Sequence, residues 1–594
     1  MTLDGLTLHG VVDELGPKLQ NAKVQKVLMP TKEEIVLIIY SAAEGTMRLV
    51  ISADAGDCGI YLSSHAKENP KTPPVFCMFL RKNLVGGVIT AVEQSGLDRV
   101  VTLRISTRDE LMRTRELSLI AEIMGKYSNI ILTDADGRIL DSVKRVPLDV
   151  SRERQILPGL PYEAPPQHKW NPLTSSPLSL SEAIHPLEST RMDRVLSRSL
   201  DGISVQTAHE VLALAGLSET AESSRLEKRD FMRLASDLQS FVQQALARPQ
   251  PSIQVNADGV PVFFSLVPYA STYPAEGRRT FPSVNEMLDY YYSRRSELQR
   301  VAQAKTALSR VISKSHQKTV RHIQLCEMSL AEASQIRDLQ RRADQITANL
   351  YRLHKGMKEF ESTDYETGET LTVPLDVSET PAQTAQRLYR RIAKYKRARE
   401  LNTAKLEEAR SEEEFLSGAL LYTENAATLA ELSEIRRSLM DAGVVARPKK
   451  DGRRAAHAES KPLRYLSPSG MTIYVGRNDR QNETLTHRIA QRDDIWFHAQ
   501  KIPGSHVLLV TNGRDLNDID DETIVFAAEL AAAHSRARRS GKTPVDYTQR
   551  RNVRKPPQAR PGKVIYDNYY TVYVDAAAGQ EKMAEPEGPP LGTI

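Results

Sequence analysis

The chain has 594 residues, of which 40% are hydrophobic and 26% are charged, and its formal net charge is +5. This length predicts several folded domains, and so small a net charge requires any nucleic-acid surface to be local. Cys58, Cys77 and Cys326 are too few and too scattered for a disulfide framework or a CxxC metal site, which fits a reducing cytosol. The first residues lack a signal-peptide pattern and no run approaches about 18 apolar residues, so we expect neither secretion nor a membrane span.

Short β-rich segments follow one another from about residue 20 to 150 and predict an α+β domain. One of them, NIILTDADGRILDSVKRV, predicts a hairpin that turns at Asp136–Gly137. The Pro- and Ser-rich segment 156–177 is typical of a linker, so we expect a domain boundary there.

The stretch SGLDRVVTL, residues 95–103, predicts a turn that runs into a strand opening with an acid and a base side by side. By the period of two, Arg99 heads the face of Val101, Leu103 and Ile105, while Asp98 lies on the opposite face. A direct ion pair between the two neighbours is therefore awkward, although a structural ion pair at the strand end remains the alternative to a functional role.

Residues 193–217, DRVLSRSLDGISVQTAHEVLALAGL, predict two short helices around Asp201–Gly202. A glycine turn between short helices is typical of a helix-hairpin-helix, whose backbone N–H groups bind phosphates without reading bases. A plain helical hairpin explains the pattern equally well.

The middle of the chain, residues 284–445, predicts a coiled-coil arm because apolar residues recur at alternating steps of four and three. A non-helical insertion at about 358–384 separates two helical runs of similar length. Such runs predict an antiparallel hairpin with a small tip, and a homodimeric coiled coil is the alternative. The apolar positions are Leu339, Ala343, Ile346, Leu350, Leu353 and Met357 in the first run, and Ala385, Leu388, Ile392, Tyr395, Leu429, Leu432 and Leu439 in the second.

A basic linker at 446–462 precedes a compact domain at 463–575, and residues 576–594 have the composition of a disordered tail. Within this domain, DDIWFHAQKIPGSHVLLV predicts two strands around a Pro503–Gly504 turn. Residues 521–542 predict a helix with acids in its first turn and bases at its end.

Basic residues are dense between positions 530 and 563, where only Asp546 opposes them and Tyr547 is interleaved. This run predicts a phosphate-binding surface, and a merely solvated face is the alternative. The candidate RNA contacts are Trp496, His498, Lys501, His506, Arg536, Arg538, Arg539, Arg550, Arg551, Arg554, Lys555 and Lys563.

Catalytic motifs are scarce: the sequence has no GxxxxGK[ST] phosphate loop, no GxSxG elbow and no HExxH. His498 and His506 lack a third metal ligand at suitable spacing, so packing or RNA stacking is the better interpretation of both. We expect no metal and no cofactor.

Six stretches together resemble the NFACT family in the correct order along almost the whole length. The family resemblance implies a multidomain α+β fold: a glycosylase-like N-terminal domain (1–175), a helix-hairpin-helix region (176–280), the coiled-coil arm, and an α+β RNA-binding domain. The stretches are FCMFLRKNLVGG (76–87), GLDRVV (96–101), EIMGKYSNIIL (122–132), ILPGLPYEAPP (156–166), DDIWFHAQKIPGSHVLL (493–509) and VRKPPQARPGKVIY (553–566).

The resemblance also implies a cytoplasmic role in ribosome-associated quality control, without a membrane partner. Such proteins bind a large ribosomal subunit and its rRNA when peptidyl-tRNA obstructs it, recruit alanyl-tRNA, and promote template-independent alanine tailing that marks the nascent chain for degradation. The ribosome itself would join the amino acids, so the protein need not be an enzyme. Asp98 and Arg99 match the family's Asp-Arg pair, which is tied to tRNA recruitment, and Arg81, Lys126 and Arg145 are candidates for further RNA contacts.

Two other functions are compatible with parts of this resemblance. A DNA-repair glycosylase would need an N-terminal proline followed by glutamate, whereas this chain has Thr2 and Leu3. A fibronectin-binding surface adhesin, a role also described for the family, would need unconventional export.

Overall fold

The computed structural model describes residues 3–109, 111–166, 168–186, 188–257, 259–363, 368, 370–447, 460–557 and 559–583, and all structural statements concern these residues. The protein divides into two compact units, Met1–Leu298 and Gln299–Ile594, with the boundary inside one long helix. Helix and sheet are mixed in both units, and each unit is described by itself.

A nine-stranded antiparallel sheet is the largest sheet of the first unit, with strand order β4-β3-β2-β1-β5-β6-β7-β8-β9. The strands are β1 (Lys23–Thr31), β2 (Glu34–Ser41), β3 (Gly45–Ser52), β4 (Gly59–Leu62), β5 (Val88–Gln94), β6 (Val100–Arg108), β7 (Thr114–Glu122), β8 (Asn129–Thr133) and β9 (Ile139–Ser142). Two helices, α1 (Gly5–Leu19) and α2 (Val75–Leu84), pack against it.

The predicted strand pattern is confirmed in β6, where Val101, Leu103 and Ile105 are fully buried. The predicted hairpin is confirmed too, because Gly137 adopts φ +76° between β8 and β9. A left-handed residue is what such a tight turn requires, and glycine adopts it without steric cost.

The start of the segment predicted as a linker is instead paired with the sheet region. Ile156 pairs with Val146, and Pro161 pairs with Arg138. Ile156 and Tyr162 pack on a small apolar cluster that includes Ile120, Ile131 and Ile139. The Pro-rich composition of this segment does not reveal that Ile156 and Tyr162 pack against the strands.

The rest of the first unit is mainly helical. Its elements are α3 (Pro177–Ala183), α4 (Met192–Ser199), α5 (Val205–Leu214), α6 (Lys228–Ala247), β10 (Ser252–Val255), β11 (Pro261–Ser265) and β12 (Arg278–Thr280). The turn between α4 and α5 has Gly202 at φ +76°, as a glycine turn should. Asp201, Gly202 and Ile203 are buried, so the N–H groups of this turn do not face solvent, contrary to a phosphate-binding hairpin.

Helices α7 (Val284–Ala333), α8 (Ile336–Ala348), α9 (Pro381–Asn425) and α10 (Leu429–Asp441) form the long-helix part of the protein. From residue 299 onward, later positions of the first run contact earlier positions of α9, so the two runs are antiparallel. The contacts are Lys305 Nζ to Glu424 O (3.0 Å), His316 Nε2 to Glu413 Oε1 (2.9 Å), Asn402 Nδ2 to Ser329 Oγ (2.8 Å) and Tyr389 Oη to Asp344 Oδ1 (2.6 Å).

The predicted heptad seam is correct as far as Ile346, which is fully buried, and wrong beyond it. Helix α8 ends at Ala348, and Leu350 lies in a short 3-10 turn with 38% of its surface exposed. The Asn349 amide donates to Gln345 O and to Ser362 Oγ, which ties the helix end to the tip. The tip itself is a hairpin of β13 (Glu359–Thr363) and β14 (Thr370–Pro374).

The C-terminal part is a six-stranded antiparallel sheet with order β15-β16-β18-β17-β19-β22, against which α12 packs. The elements are β15 (Leu463–Leu466), β16 (Thr472–Val475), α11 (Asp479–Thr484), β17 (Ile495–Ala499), β18 (Val507–Leu509), α12 (Asp521–Ala533), β19 (Lys542–Gln549), β20 (Val553–Arg554), β21 (Ile565–Tyr566), β22 (Tyr570–Asp575) and α13 (Ala576–Met583). The two strands predicted around Pro503–Gly504 are confirmed as β17 and β18.

One helix prediction and one disorder prediction in this part are wrong. Helix α12 ends at Ala533 and not at 542, because the backbone turns there to pair with the 503–505 loop: Arg536 N donates to Pro503 O, and Ser505 N to His534 O. Residues 576–583, predicted to be disordered, form α13, whose Gly579 lies so close to Glu529 that a Cβ would sit 2.1 Å from its carbonyl oxygen.

Most of the predicted basic linker and the remainder of the predicted tail lie outside the described residues. Among the helices that the structure describes, none is both long and apolar enough to cross a bilayer.

Candidate nucleic-acid interface

Asp98 and Arg99 lie in the turn before β6, not in the strand itself, which corrects the predicted face assignment. Gly96 has φ +57° and lets the backbone reverse between β5 and β6. Asp98 is 9% exposed, and its Oδ1 accepts a hydrogen bond from the Arg99 backbone N at 2.7 Å. The carboxylate therefore fixes the backbone of its neighbour and forms no ion pair with the Arg99 side chain.

The Arg99 side chain is half-buried, and its backbone carbonyl accepts from Ile123 N at 2.8 Å. Within the described part of the protein, no acid or hydrogen-bond acceptor is recorded for its guanidinium. An arginine fork held by its backbone and left without a partner is suited to binding a phosphate or a base edge.

Gln94, the last residue of β5, anchors this turn. Its Nε2 donates to Asp98 O at 2.7 Å and to Gly5 O at 3.1 Å, while His9 Nδ1 lies 2.8 Å from its Oε1. Gly5 is close-packed here, since a Cβ on it would lie 1.7 Å from Leu97 O. One glutamine thus joins α1, β5 and the turn.

Two charged residues from distant segments complete the surroundings of the turn. Lys169 donates through Nζ to Ser197 O at 2.8 Å; burial, followed by the charge of Arg99, lowers its pKa. Burial, followed by the charge of Asp98, raises the pKa of Asp201. Two cations and two carboxyl groups therefore influence one another electrostatically at this site.

The three further candidates in the first unit are placed differently. Lys126 follows β7 in a short 3-10 turn, and its Nζ lies 4.7 Å from the centre of the exposed Tyr127 ring. Arg145 makes two hydrogen bonds with Asp141, at 3.1 and 3.3 Å, and this pairing raises its pKa. Lys126 is therefore the more available of these two cations.

Arg81 donates through Nε to Val27 O at 2.8 Å, so α2 is fastened to β1 by this side chain. Among the residues that the structure describes, no hydrogen bond or ion pair joins Arg81 or Arg145 to the Asp98–Arg99 turn. The structure does not bring these two arginines to the turn.

Most bases of the C-terminal run have partners that lie far away in sequence. Lys563 pairs with Glu414, Arg538 with Glu424, Lys555 with Glu483, Arg551 with Asp493 and Arg554 with Asp567, at 2.5 to 3.3 Å. Arg536 donates to Ser417 Oγ at 3.0 Å, and Arg550 to Thr486 O at 2.5 Å. The charge excess seen in the sequence is therefore reduced in the folded domain, although exposed surface ion pairs contribute little to stability.

Arg539 and Lys542 differ from the other bases of the run. Both residues are exposed, and neither side chain has a hydrogen-bond or ion-pair partner within the described ranges. They are the best-placed cations of the run for a phosphate contact.

The aromatic and imidazole candidates form one cluster. His498 stacks on Trp496 with ring centres 5.7 Å apart and planes at 9°, and His506 meets both rings edge-on. Trp496 and His506 are 1% and 3% exposed, so neither ring is accessible for base stacking; His498 is partly exposed. Among the described residues, no group of three side chains could hold a metal ion here.

Burial lowers the pKa of His498, and it lowers that of His506 well below the ordinary value, so both rings are neutral at physiological pH. Thr486 Oγ1 lies 2.7 Å from His506 Nδ1 and fixes that ring. The pair therefore contributes planar, uncharged surface and no positive charge.

Sequence reasoning missed Gln94 and Lys169, because nothing in their local patterns marks them, and it identified Asp201 only as part of a glycine turn between two helices. The local sequence also could not reveal that acids of α9 and α11 neutralise the basic run. Only the tertiary pairing of segments that are far apart in sequence provides this information.

Comparison with known proteins gives a consistent result over nearly the full length. The family profile described as NFACT N-terminal and middle domains matches residues 4–458, and the profile of the NFACT protein RNA binding domain matches residues 461–568. The protein is 34% identical over 580 residues to the Rqc2 homolog RqcH of Bacillus subtilis, and the alignment covers 97% of its own length and 98% of that relative.

Two solved structures give weaker likenesses. The N-terminal part of the fibronectin/fibrinogen-binding protein from Streptococcus suis is 30% identical, with a TM-score of 0.41, over 49% of the present sequence and 99% of that structure. A Lactococcus lactis formamidopyrimidine DNA glycosylase reaches a TM-score of only 0.22 at 14% identity, over 41% of the present sequence and 80% of that structure. Neither score is high enough to support an argument about function.

The sequence matches therefore settle the family, and they agree with the order of motifs from GLDRVV to VRKPPQARPGKVIY. An RNA-binding domain follows the N-terminal and middle domains. The protein belongs to the NFACT family.

Proposed function

We propose that this protein is a ribosome-associated quality control factor. In this proposal it binds large ribosomal subunits obstructed by peptidyl-tRNA, recruits alanyl-tRNA, and promotes template-independent addition of alanines to the C-terminus of the stalled polypeptide. Its partners are then the large subunit with its rRNA, the recruited tRNA and the peptidyl-tRNA. Its place of action is the cytoplasm.

The observation that carries the proposal is the Asp98–Arg99 turn. Asp98 is buried and its carboxylate binds the Arg99 backbone, while no partner is recorded for the Arg99 guanidinium within the described residues. Maintaining an arginine in this way has no evident benefit for the fold. A guanidinium held beside Lys169 is suited to the phosphates or base edges of tRNA.

In this proposal, surfaces other than the Asp98–Arg99 turn supply the ribosome contacts. The N-terminal region (1–175) is glycosylase-like, residues 176–280 correspond to the helix-hairpin-helix region, and the antiparallel helices of 284–445 are the arm. Exposed bases of residues 463–575, with Arg539 foremost, contact rRNA phosphates. The burial of the Asp201–Gly202 turn assigns the second region a packing role and not a phosphate-binding role.

No bond-making residue is assigned to this protein. The peptidyl-transferase centre of the ribosome joins the alanines, and the protein contributes by holding the incoming tRNA in a productive position, which removes an entropic barrier. The proposal therefore requires neither a cofactor nor a metal.

The test is co-sedimentation of the purified protein with large subunits that carry peptidyl-tRNA, followed by sequencing of the C-termini of the nascent polypeptides. Enrichment on obstructed over empty subunits, together with added alanines, is the expected result. Equal binding to both kinds of subunit, or polypeptides without added residues, contradicts the proposal. Tails of another residue overturn only the choice of alanine.

A further inference from the structure

A cavity of about 810 Å³ lies in the second unit between the C-terminal half of α9, the strand β17 and the segment around Tyr566. Phe415 and Tyr422 line it from the helix side, and Trp496 and His498 from the sheet side. The volume falls in the range of small-molecule sites. This volume is large enough for a single nucleotide and too small for a base-paired helix.

The inner wall of this cavity is planar and uncharged. The Trp496 ring is covered by two neighbouring rings, His498 with centres 5.7 Å apart and Tyr566 with centres 4.9 Å apart, so a ligand cannot reach it. His498 is partly exposed and lines the cavity, so its ring is the surface that a flat ligand can reach. Planar side chains of this kind bind unpaired bases by stacking.

Hydrogen-bonding groups lie beside that wall. Burial raises the pKa of Asp479 to about 7, and Asn482 Nδ2 donates to the Tyr422 hydroxyl at 3.0 Å. The Asp479 carboxyl group also hydrogen-bonds to the Tyr422 hydroxyl, and a carboxyl group has further acceptor capacity for the edge of a base. The Trp496 Nε1 atom is buried without a recorded partner among the described residues.

Positive charge is concentrated at the mouth of the cavity. Lys501 is exposed and adopts φ +56°, a left-handed conformation that a non-glycine residue rarely keeps unless its neighbours enforce it. No acid partner of Lys501 is recorded in the part of the protein that the structure describes. Arg536, also exposed, donates through Nη1 to the neutral Ser417 hydroxyl.

Two further cations of the cavity are paired, since Lys563 pairs with Glu414 at 2.7 Å and Arg410 with Glu327 at 2.9 Å. A third, Arg560, lies 4.6 Å from the centre of the Phe415 ring, and its Nη1 is buried without a partner among the described residues. Positive charge that can meet a phosphate is therefore available on Lys501 and Arg536, with Arg560 as a further cation of the lining.

We propose that this cavity binds one unpaired nucleotide of an RNA strand, with the base beside His498 and the adjoining phosphate at Lys501 and Arg536. The inference rests on the proposed RNA-binding function and adds to it a specific subsite. Single-stranded loops and ends are recognised through splayed bases, which duplex RNA does not offer. The site therefore distinguishes unpaired from paired RNA.

The test uses the full-length protein, single-stranded hexamers of each of the four ribonucleotides, a perfectly paired RNA duplex, and the four free nucleoside monophosphates. The variants are His498→Ala, which removes the ring, and Lys501→Gly, which removes the charge and suits the positive φ. Arg539→Ala is the matched control, since it removes an exposed cation of the same domain outside the cavity.

At least one hexamer should bind more tightly than the duplex, and either cavity variant should weaken that binding about tenfold. The control should weaken hexamer and duplex equally. Photocrosslinking of a 4-thiouridine-containing hexamer should label the peptide of residues 495–507, and Lys501→Gly should abolish that label. Thermal unfolding verifies that each variant is folded. If His498→Ala does not fold, Lys501→Gly alone tests the inference.

Tight binding of a free monophosphate without binding of any hexamer overturns the inference in favour of a small-molecule site. Crosslinks elsewhere, with both variants binding as the wild type does, overturn it as well. If either of these two outcomes is found while the protein still sediments with obstructed subunits, the cavity assignment is wrong and the proposed function stands. If the wild type binds neither RNA nor subunits, the proposed function fails too.

Discussion

Replacing Gln94 by alanine should separate the anchoring of the Asp98–Arg99 turn from the general stability of the sheet. Gln94 Nε2 donates to Gly5 O and Asp98 O, and both residues are buried. Each buried group left without its hydrogen bond costs about 1–3 kcal/mol, so the loss of both bonds should destabilise the first unit by about 2–6 kcal/mol. The turn should also lose its fixed position.

The neighbouring Glu93 provides a matched control in the same strand. Its carboxylate accepts from Arg104 at 3.2 Å, and its side chain is 53% exposed. An exposed pair of this kind contributes about 0–1 kcal/mol, so Glu93→Ala should be nearly silent.

Hydrogen-exchange mass spectrometry of the peptide that spans residues 95–106, with and without urea, measures the local effect. Quantification of tRNA that co-purifies with each variant measures the functional one. Gln94→Ala should exchange faster and carry less tRNA than Glu93→Ala. Equal exchange and equal tRNA content in the two variants would refute the anchoring argument.

Three further predictions concern the second unit. Arg539→Ala should lower the slope of log affinity for RNA against log salt by about 0.7 to 0.9 through counterion release. Arg550 donates through Nε to Thr486 O, so Arg550→Ala should lower the unfolding temperature and leave the salt slope unchanged. Equal salt slopes and equal unfolding temperatures for the two variants would contradict these separate roles. Burial lowers the pKa of His534 to about 4, so the unfolded protein binds a proton between pH 6.5 and 4 that the native protein does not. Stability should therefore fall by up to about 3 kcal/mol as the pH drops through this window, and His534→Gln should lose that dependence in urea unfolding at pH 7.5 and 4.5; a pH-independent gap between the two proteins would contradict the assignment. Phe360→Ala removes a side chain packed with Val373 and Ile346, so it should lower the free energy of unfolding of the tip by about 3–5 kcal/mol. It should also weaken sedimentation with large subunits, whereas the control Glu359→Ala, at an exposed position, should do neither. Equal sedimentation of both variants would show that the tip is not a ribosome contact.

Periodicity predicted the parts of the fold that local patterning controls. The buried face of β6 and the hairpin at Asp136–Gly137 follow from a period of two and a turn glycine. The heptad positions up to Ile346 follow in the same way, because a buried stripe on a long helix leaves a repeat in the sequence.

The failures share a different physical cause, which is pairing between distant segments. Helix α12 ends early because its C-terminus pairs with the 503–505 loop. Lys563 forms an ion pair with Glu414 and is not free to bind a phosphate. In each case a tertiary contact overrides the local pattern, and no window of sequence contains both partners.

The same distinction separates the predictable residues of the candidate site from those that could not be predicted. Family resemblance drew attention to Asp98 and Arg99, and the residue order alone could not show that Asp98 caps its neighbour's backbone. The supporting groups, Gln94 and Lys169, lie on β5 and in the segment before α3. They were not predictable, since glutamine and lysine at such positions are ordinarily solvated surface residues.

We propose that the Asp98–Arg99 turn recruits tRNA while other surfaces bind the ribosome. The most direct measurement compares the wild type with the Asp98→Ala/Arg99→Ala double variant, both isolated on obstructed large subunits, by sequencing the bound tRNA and the C-termini of the nascent polypeptides. We expect equal subunit occupancy, with tRNA and alanine tails only in the wild type. Normal tRNA content and normal tails in a folded double variant would contradict it.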